Sequence, residues 1–460
     1  MYHIDFNCPN HVHFIGIGGI SMSGLAEILL ERGFQVSGSD AHRSELTEKL
    51  ESHGARVFYG QKAENITEGI DVVVYTAAVH PDNPEYAAAE KKGLPILTRA
   101  ELLGQIMRNY CQSVAVSGTH GKTTTTSMLS EILMEAKKDP TISVGGMLDA
   151  IGGNIRVGGP ELFVTEACEY TNSFLSFFPT MEIILNIEAD HLDFFKDIED
   201  IRRSFRRFAE LLPEGGTLII NSDIRDCEEI YRGLPCRVIT VGSDPEKSRY
   251  SARNVEFDRN ACACYELLVD GEPAGMIKLG VPGMHNVYNS LAAVAAAHEL
   301  GIGNDEIRAG LLSFGGTHRR FEKKGVLNGI TIIDDYAHHP QEIAATLSTA
   351  KNYPHREIWC VFQPHTYTRT KALMDDFAKA LSMADHVVLA DIYAARETDD
   401  LGISSGTLAD RIAALGTEAW YLHSFEEIEE FLLKKCVNGD LLITMGAGDI
   451  VKVGEKLLRQ

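Results

Sequence analysis

The sequence predicts an α/β protein of three domains, and three observations carry that prediction. At 460 residues the chain is longer than one hydrophobic core can serve. Apolar strand-like runs alternate with segments of helical period along its length, which is the pattern of parallel sheets covered by helices. Twice, at residues 13–24 and 113–126, a strand leads straight into a glycine-rich turn and then a helix. The composition, 44% hydrophobic and 23% charged, is that of an ordinary soluble globular protein.

The first unit spans residues 1–107. "HVHFIGI" and "QVSGSD" read as strands, and "ISMSGLAEILLERG" between them reads as a helix closed by Gly33. "SELTEKLESHG" is a second helix, closed by Gly54, and "DVVVYTAA" a further strand. Glycine just past a helix end supplies the left-handed residue that stops it. The second unit, 108–316, opens on "SVAVSGTHGKTTTT", whose strand feeds a loop and the helix "TTSMLSEILMEA". It continues through the strands "ELFVTEA" and "MEIILNIEADH" to the alanine-rich helix "NVYNSLAAVAAAHELG". The third unit, 317–460, runs from "GITIIDDYAHHP" through "EIWCVFQPH" and "HVVLADIYAARE" to "DLLITMGAGD".

Several function classes are excluded. The N-terminus lacks a basic segment before its apolar run, and no apolar stretch approaches the roughly 20 residues needed to cross a bilayer, so a cytoplasmic protein without membrane insertion is expected. Nine scattered cysteines fit reduced thiols and give no disulfide framework. A formal charge of −22 repels nucleic acid, so any anionic ligand needs local cations, backbone N–H groups or a metal.

"SGTHGKTTTT" (117–126) departs from the usual phosphate-loop rule, G-x-x-x-x-G-K-[ST], because Val116 stands where the first glycine belongs. The physics of the loop is nevertheless present. Glycines let the backbone approach phosphate oxygens, helix-start N–H groups point at the anion, Lys122 supplies charge and the Thr123 hydroxyl suits Mg²⁺. "HFIGIGGISMSG" carries Gly16-x-Gly18-x-x-Ser21, one residue from the dinucleotide fingerprint, with Asp40 closing the next strand at a ribose-binding offset. On those residues alone a dinucleotide-dependent oxidoreductase stays open.

Glu166 and His191 each fall near the end of an apolar strand, where ligands of open parallel sheets collect, and could complete a divalent-metal site; Glu169 and Asp190 compete with them. Asn286 and Asn289 lie three apart at a helix start, placed either to read adenine or to cap the helix. Arg319 and Arg320 offer a phosphate clamp from a neighbouring domain. Polar residues gather in "DDYAHHP" and "FQPHTYTRT", where substrate contacts fit better than a zinc site on His338 and His339, since no H-E-x-x-H or cysteine spacing supports zinc.

Together these motifs resemble the Mur ligase family, the ATP-dependent amide-forming enzymes of peptidoglycan assembly. The likeness extends over nearly the whole chain, through "GIGGISMSGLAEILL", "TAAVHPDNPE", "PILTRAELL", "SGTHGKTTTT", "NIEADHLD", "HNVYNSLAA", "RRFEKKG", "DDYAHHP", "FQPHTYTRT" and "LLITMGAGD". That family's ATP loop reads G-T-H-G-K-T-T, without the distal glycine.

The resemblance implies a Rossmann-like UDP-binding first domain, a central P-loop-like ATPase domain and a Rossmann-like third domain. It implies UDP-sugar contacts from Gly16, Gly18, Gly19, Ser21 and Asp40, and ATP contacts from Gly118, Thr119, His120, Gly121, Lys122, Thr123 and Thr124, with Asn286 on adenine. Thr123, Glu166 and His191 would hold Mg²⁺; Arg320 and Asp335 would reach ATP, and Tyr336, His338 and Arg369 the amino acid. The implied substrates are UDP-N-acetylmuramate and L-alanine, with a murein tripeptide as the alternative amine, in a monomer or homodimer. The implied chemistry is an acyl phosphate formed by attack on the γ-phosphate, then attack by the amine, with Lys122 catalytic and His338 or His191 taking the proton. Two departures stand out: Thr366 replaces an arginine common after "FQPH", leaving Arg369 for the carboxylate, and "TEACEY" replaces "AEADES", which leaves the role of Glu169 open. The carbamylated lysine of several sister ligases has no counterpart in 201–212, as in the alanine-adding branch.

Overall fold

The computed structural model describes residues 2–76, 78–192, 194–395 and 397–459. Three sheets follow one another along the chain. In the first, all parallel, His11–Ile15 is central, with Gln35–Asp40 and then Arg56–Tyr59 on one side and Val72–Tyr75 and then Ile96–Thr98 on the other. Strand order therefore reverses at His11–Ile15, and the crevice at such a reversal opens at the strand's C-terminal end, at Gly16.

The second sheet has a parallel core in the order Arg237–Val241, Thr217–Asn221, Met181–Ile184, Gln112–Ser117, Leu162–Glu166, Thr141–Leu148. Gly153–Arg156 adds an antiparallel edge. On the other side an antiparallel meander, Tyr250–Phe257, Cys262–Val269 and Glu272–Pro282, extends it to ten strands. Side chains alternate across this sheet. Val116 and Ile183 face a core with Met128, Leu129 and Leu291 from the helices Lys122–Glu135 and Met284–Glu299. Ala115 and Ile184 face Ile201, Phe205 and Phe208 of the helix Ile198–Ala209.

That second core runs on without a break into the first domain, through Phe14, Leu25, Leu102 and Ile106. The junction is close-packed: a Cβ on Gly104 would fall 1.9 Å from the Ser176 carbonyl oxygen, and one on Gly24 would fall 2.1 Å from Ile155. The third sheet runs Glu322–Leu327, Ile330–Asp335, Leu441–Met445, Ile358–Phe362, His386–Leu389, Glu418–Tyr421, parallel except for its first strand. Among the described residues no helix is long and apolar enough to cross a membrane.

Candidate active site

Strand Gln112–Ser117 carries Val116 fully buried within the sheet, paired with Ile183 and Glu166. The turn therefore begins two residues later than the general loop rule assumes and consists of 118–121 only. Gly118 and Gly121 have φ of +139° and +85°, a region open to glycine. A Cβ on Gly121 would also meet Asn289 Oδ1 at 2.5 Å. The helix starts at Lys122, so its first N–H groups lack helical partners and face the mouth of the turn.

Lys122 Nζ donates to Gly118 O at 2.5 Å, Thr119 O at 3.1 Å and Glu169 Oε2 at 3.1 Å. Burial works against its charge, but Glu169 outweighs that and holds the ammonium protonated. Thr123 Oγ1 donates to Glu166 Oε2 at 3.1 Å, and the Gly145 N–H donates to Glu166 Oε1 at 2.5 Å. Desolvation pushes the Glu166 carboxyl up despite those bonds, so this oxygen pair is short of positive charge. Hydroxyl and carboxylate oxygens beside a loop for phosphate are donors that suit Mg²⁺. His191, at φ +52°, has other carboxylates nearest to it: its Nε2 is 3.9 Å from Glu169 and 3.7 Å from Asp190.

The third domain closes over this edge. Glu342 Oε1 lies 3.2 Å from His120 Nδ1, and Glu188 Oε2 lies 3.2 Å from His120 Nε2. The His120 and His339 rings sit 4.9 Å apart, and His339 Nε2 is 3.2 Å from Ala189 O. Glu342 also accepts from the His338 N–H at 3.0 Å and lies 3.8 Å from Arg320. Of the paired arginines, Arg319 is anchored by Asp334 at 2.9 Å and Gly446 O at 2.7 Å. Both lie over the Tyr336 ring, at 4.9 and 5.4 Å, and Arg320 borders two of the neighbouring cavities where Arg319 borders one. Asp335 accepts from the Phe321 and Ala337 N–H groups at 2.8 Å each; burial raises it to about 6 even so.

Three cavities line up along this edge. One of about 430 Å³ is bounded by Gly121, Thr124, Asn286, Tyr288, Asp335 and Arg320. The next, about 420 Å³, takes in Lys122, Thr123, Glu166, His191, Tyr336 and His338, with Ile20 from the first domain. The last, also about 420 Å³, holds Asp190, His191, His365, Thr366 and Arg369. His120, Gly121, Arg320 and Glu342 border both the first and the second, and Asp190 and His191 both the second and the third. The middle cavity thus joins groups from all three domains between a nucleotide-sized space and an arginine.

Desolvation lowers His338 to about 4, so its imidazole is neutral at pH 7; Nδ1 lies 3.0 Å from Tyr336 O, which leaves Nε2 without a partner among the described residues. Asn286 borders the first cavity, and there its Nδ2 donates to Pro282 O at 2.8 Å while its Oδ1 accepts from Asn289 at 3.0 Å, bonds that also tie the helix start together. In the first domain Gly16 has φ +84°, the Gly18 N–H donates to Asp40 Oδ2 at 2.9 Å, and Gly19 precedes the helix that carries Ser21.

Sequence reasoning missed three groups here. Arg99 Nη1 donates to Ser21 Oγ at 3.1 Å, has no carboxylate within 4 Å among the described residues, and is held down by desolvation, an arrangement that favours an anion. Only the packing of Ile96–Thr98 beside Val72–Tyr75 brings it there. Glu342 was legible from the His339-Pro340-x-Glu342 spacing of a capped helix start, which the structure forms. Glu188 gave no signal.

Burial opposes a charge on His120, but the carboxylates of Glu188 and Glu342 beside its two ring nitrogens prevail and raise it to about 9. A raised imidazole stabilises fully below its unfolded value of 6.5, and that stabilisation is lost as pH rises through about 9. The gap corresponds to about 3 kcal/mol. The melting temperature is therefore expected to fall across pH 6.5–9 more steeply than in His120→Asn, followed by calorimetry; equal slopes would remove His120 as the tie between the domains.

The chain matches three family models: "Mur ligase family, catalytic domain" over residues 11–111, "Mur ligase middle domain" over 116–297, and "Mur ligase, glutamate ligase domain" over 319–448. It is 65% identical to a UDP-N-acetylmuramate–L-alanine ligase of Lachnospira eligens and 61% identical to that of Agathobacter rectalis, covering all of each chain in both cases. Among solved structures it is similar to the UDP-N-acetylmuramate-alanine ligase of Thermotoga maritima, at 31% identity, 98% coverage of both chains and a TM-score of 0.80. It is also similar to a murein peptide ligase of Psychrobacter arcticus, at 25% identity, 98% coverage of both chains and a TM-score of 0.69.

Proposed function

The chain belongs to the Mur ligase family, and from that premise we propose that it joins L-alanine to the carboxylate of UDP-N-acetylmuramate at the expense of ATP, in the cytoplasm, as a step of peptidoglycan precursor synthesis. The observation that carries the reading is the middle cavity, where Lys122, Thr123 and Glu166 of one domain face Arg320, Tyr336 and His338 of another. We assign domains at 1–107, 108–316 and 317–460.

In this reading ATP lies along the turn 118–121, its phosphates on the helix-start N–H groups and Lys122, and its nucleoside in the first cavity. The UDP-sugar occupies the crevice at Gly16, Gly18, Gly19, Ser21 and Asp40, with Arg99 beside its anionic groups. Its carboxylate enters the middle cavity past Ile20, which is 64% exposed. The carboxylate oxygen attacks the γ-phosphorus, ADP leaves, and Lys122 and Arg320 offset the charge that spreads over the transferring group. Thr123 and Glu166 would hold Mg²⁺, which supplies further charge neutralisation at the phosphates; Glu169 and His191 lie close enough to serve the same region. The amine of alanine then attacks the acyl carbonyl and phosphate departs. Neutral His338, with Nε2 unengaged, suits the accompanying proton better than His191, whose ring is stacked on Tyr170 at 4.4 Å.

The test is phosphate release with ATP and UDP-N-acetylmuramate while the twenty amino acids and a murein tripeptide are supplied in turn. L-alanine is expected to give the highest kcat/KM. Preference for the tripeptide, or no ADP with any amine, would overturn the assignment.

A further inference from the structure

We propose that His120, Glu188 and His339 form a site for a transition-metal dication of the zinc class, and that an ion bound there clasps the third domain to the central one. Such a site lies outside the ligase reading and does not depend on it.

One ligand atom from each of the three side chains lies within 4.8 Å of the others. His120 belongs to the phosphate turn, Glu188 follows strand Met181–Ile184, and His339 caps the helix Pro340–Lys351 of the third domain. The two central-domain ligands are held in place by their main chains. Asn186 accepts from the His120 N–H at 2.8 Å and donates to the His120 carbonyl at 3.0 Å, and the Glu188 N–H donates to Thr119 Oγ1 at 3.0 Å. His120 Nε2 and Glu188 Oε2 are 3.2 Å apart, close to the spacing of about 3.3 Å between ligands of a tetrahedral zinc ion. That contact satisfies neither atom. Both His120 ring nitrogens and Glu188 Oε2 are buried without a hydrogen bond among the described residues, so imidazole and carboxylate meet at ion-pair distance but off the N–H direction. Buried polar atoms left in this way point to a further partner.

The surroundings fit an imidazole-ligated ion. A metal-bound histidine ordinarily turns its other ring nitrogen to a carboxylate, and Glu342 Oε1 lies 3.2 Å from His120 Nδ1. The His339 ring is 5% exposed and is held by long contacts, Nε2 3.2 Å from Ala189 O and Nδ1 3.4 Å from the Gln341 nitrogen, so giving one of them up costs little. Spacing along the chain spoke against zinc on His338 and His339; the fold pairs His339 with His120 instead. Two imidazoles and a carboxylate select zinc-like ions over Mg²⁺, which takes oxygens and water. Thr123 and Glu166 offer the opposite set, oxygens only. His120 and Glu188 border the first cavity, which gives the ion a way in and leaves a fourth position for water. Bringing His339 to bonding distance draws the third domain onto the central one.

Zn²⁺ binding to the full-length, metal-stripped protein is measured by competition with a chromophoric chelator, in excess Mg²⁺ so that oxygen-only sites are filled. His120→Asn, Glu188→Gln and His339→Asn are each expected to weaken one equivalent of Zn²⁺ by at least about 10-fold. Co²⁺ bound in place of Zn²⁺ should show the intense visible bands of a four-coordinate ion, without the near-ultraviolet band of a thiolate ligand, a distinction that the nine cysteines make necessary. Zn²⁺ should also slow amide hydrogen exchange on both sides of the seam, at 186–191 and at 338–343. Unchanged Zn²⁺ affinity in all three variants, a thiolate band, a six-coordinate spectrum, or no Zn²⁺ bound by wild type overturns the site. Protection of one domain alone overturns the clasp. The Co²⁺ spectrum and the exchange pattern of wild type decide even where a variant fails to fold. Phosphate release in zinc-free buffer tests the ligase reading separately, so the two failures are distinguishable.

Discussion

Lys122→Ala is expected to lower phosphate release by at least about 10³-fold, the scale of removing one preorganised stabiliser of transition-state charge, while UDP-N-acetylmuramate binds as in wild type. The two sites are separable because Lys122 belongs to the central domain, whereas the UDP-sugar crevice is built on the first sheet, whose loop is held by its own bonds from Gly16 and Ile17 to Ser39 O. The truncation also strands Glu169, which is 2% exposed and relies on Lys122 for its opposite charge. Removing one member of a buried pair costs about 3–5 kcal/mol, so lost activity must be separated from lost fold. Lys122→Met combined with Glu169→Gln removes both charges and should recover most of the melting temperature without recovering turnover. Kinetics on the thermally restored double variant and calorimetry with the UDP-sugar check the two halves. Ligation within about 10-fold of wild type in either variant would refute the role given to the lysine.

How much of this was legible in the sequence depended on whether a local rule was sufficient. The helices closed by Gly33 and Gly54, both with positive φ, and the parallel strands between them follow from period and end signals within a short window. The strand–turn–helix order around Gly121-Lys122-Thr123 was legible too, and the mismatch at Val116 proved to be a residue still inside the strand. The meander Tyr250–Pro282 was passed over although its partners are its sequence neighbours and Asp270-Gly271 between two of its strands is a local hairpin signal. Asp190 and Arg369 sit 179 positions apart, and no pattern along a chain announces such a meeting. Asn286 and Asn289 left two readings open in the sequence, and the structure adds what spacing does not give, their bonds to Pro282 and to each other at the edge of the first cavity.

Rigidity is also divided unequally, in a way that serves the order of the reaction. The first and central domains share one apolar core, whereas the third domain is joined largely by polar contacts, at His120 with Glu342, Asp190 with Arg369 and Thr317 with Ser127. Polar interdomain contacts exchange with water at small net cost, whereas a close-packed core does not. Under the proposed function the sugar's carboxylate and the phosphate turn would thereby be kept in fixed relation, and the third domain would be the one more easily parted to admit the amine.

Glu166→Gln separates charge from shape at the other end of the middle cavity, and is expected to reduce kcat by about 10²–10³-fold while raising the Mg²⁺ concentration needed for half-maximal rate. The amide matches the carboxylate in volume and can still accept from Thr123 or the Gly145 N–H, so the surrounding turn is preserved; what it loses is the negative charge. Stability should move the opposite way. Burial raises the Glu166 carboxyl above its ordinary 4.5, so the stability it contributes is complete below 4.5 and is lost as pH rises through the folded value. At neutral pH wild type carries an under-compensated, partly buried carboxylate that the variant lacks. Glu166→Gln should therefore melt at or above the wild-type temperature at pH 7, with the difference closing as pH falls toward 4.5. A protein that is more stable and nearly inactive, with a weakened Mg²⁺ response, is the signature of a charge retained for a cation. An unchanged Mg²⁺ titration curve would leave Thr123 and Glu166 as architecture and move the metal to Glu169 and His191.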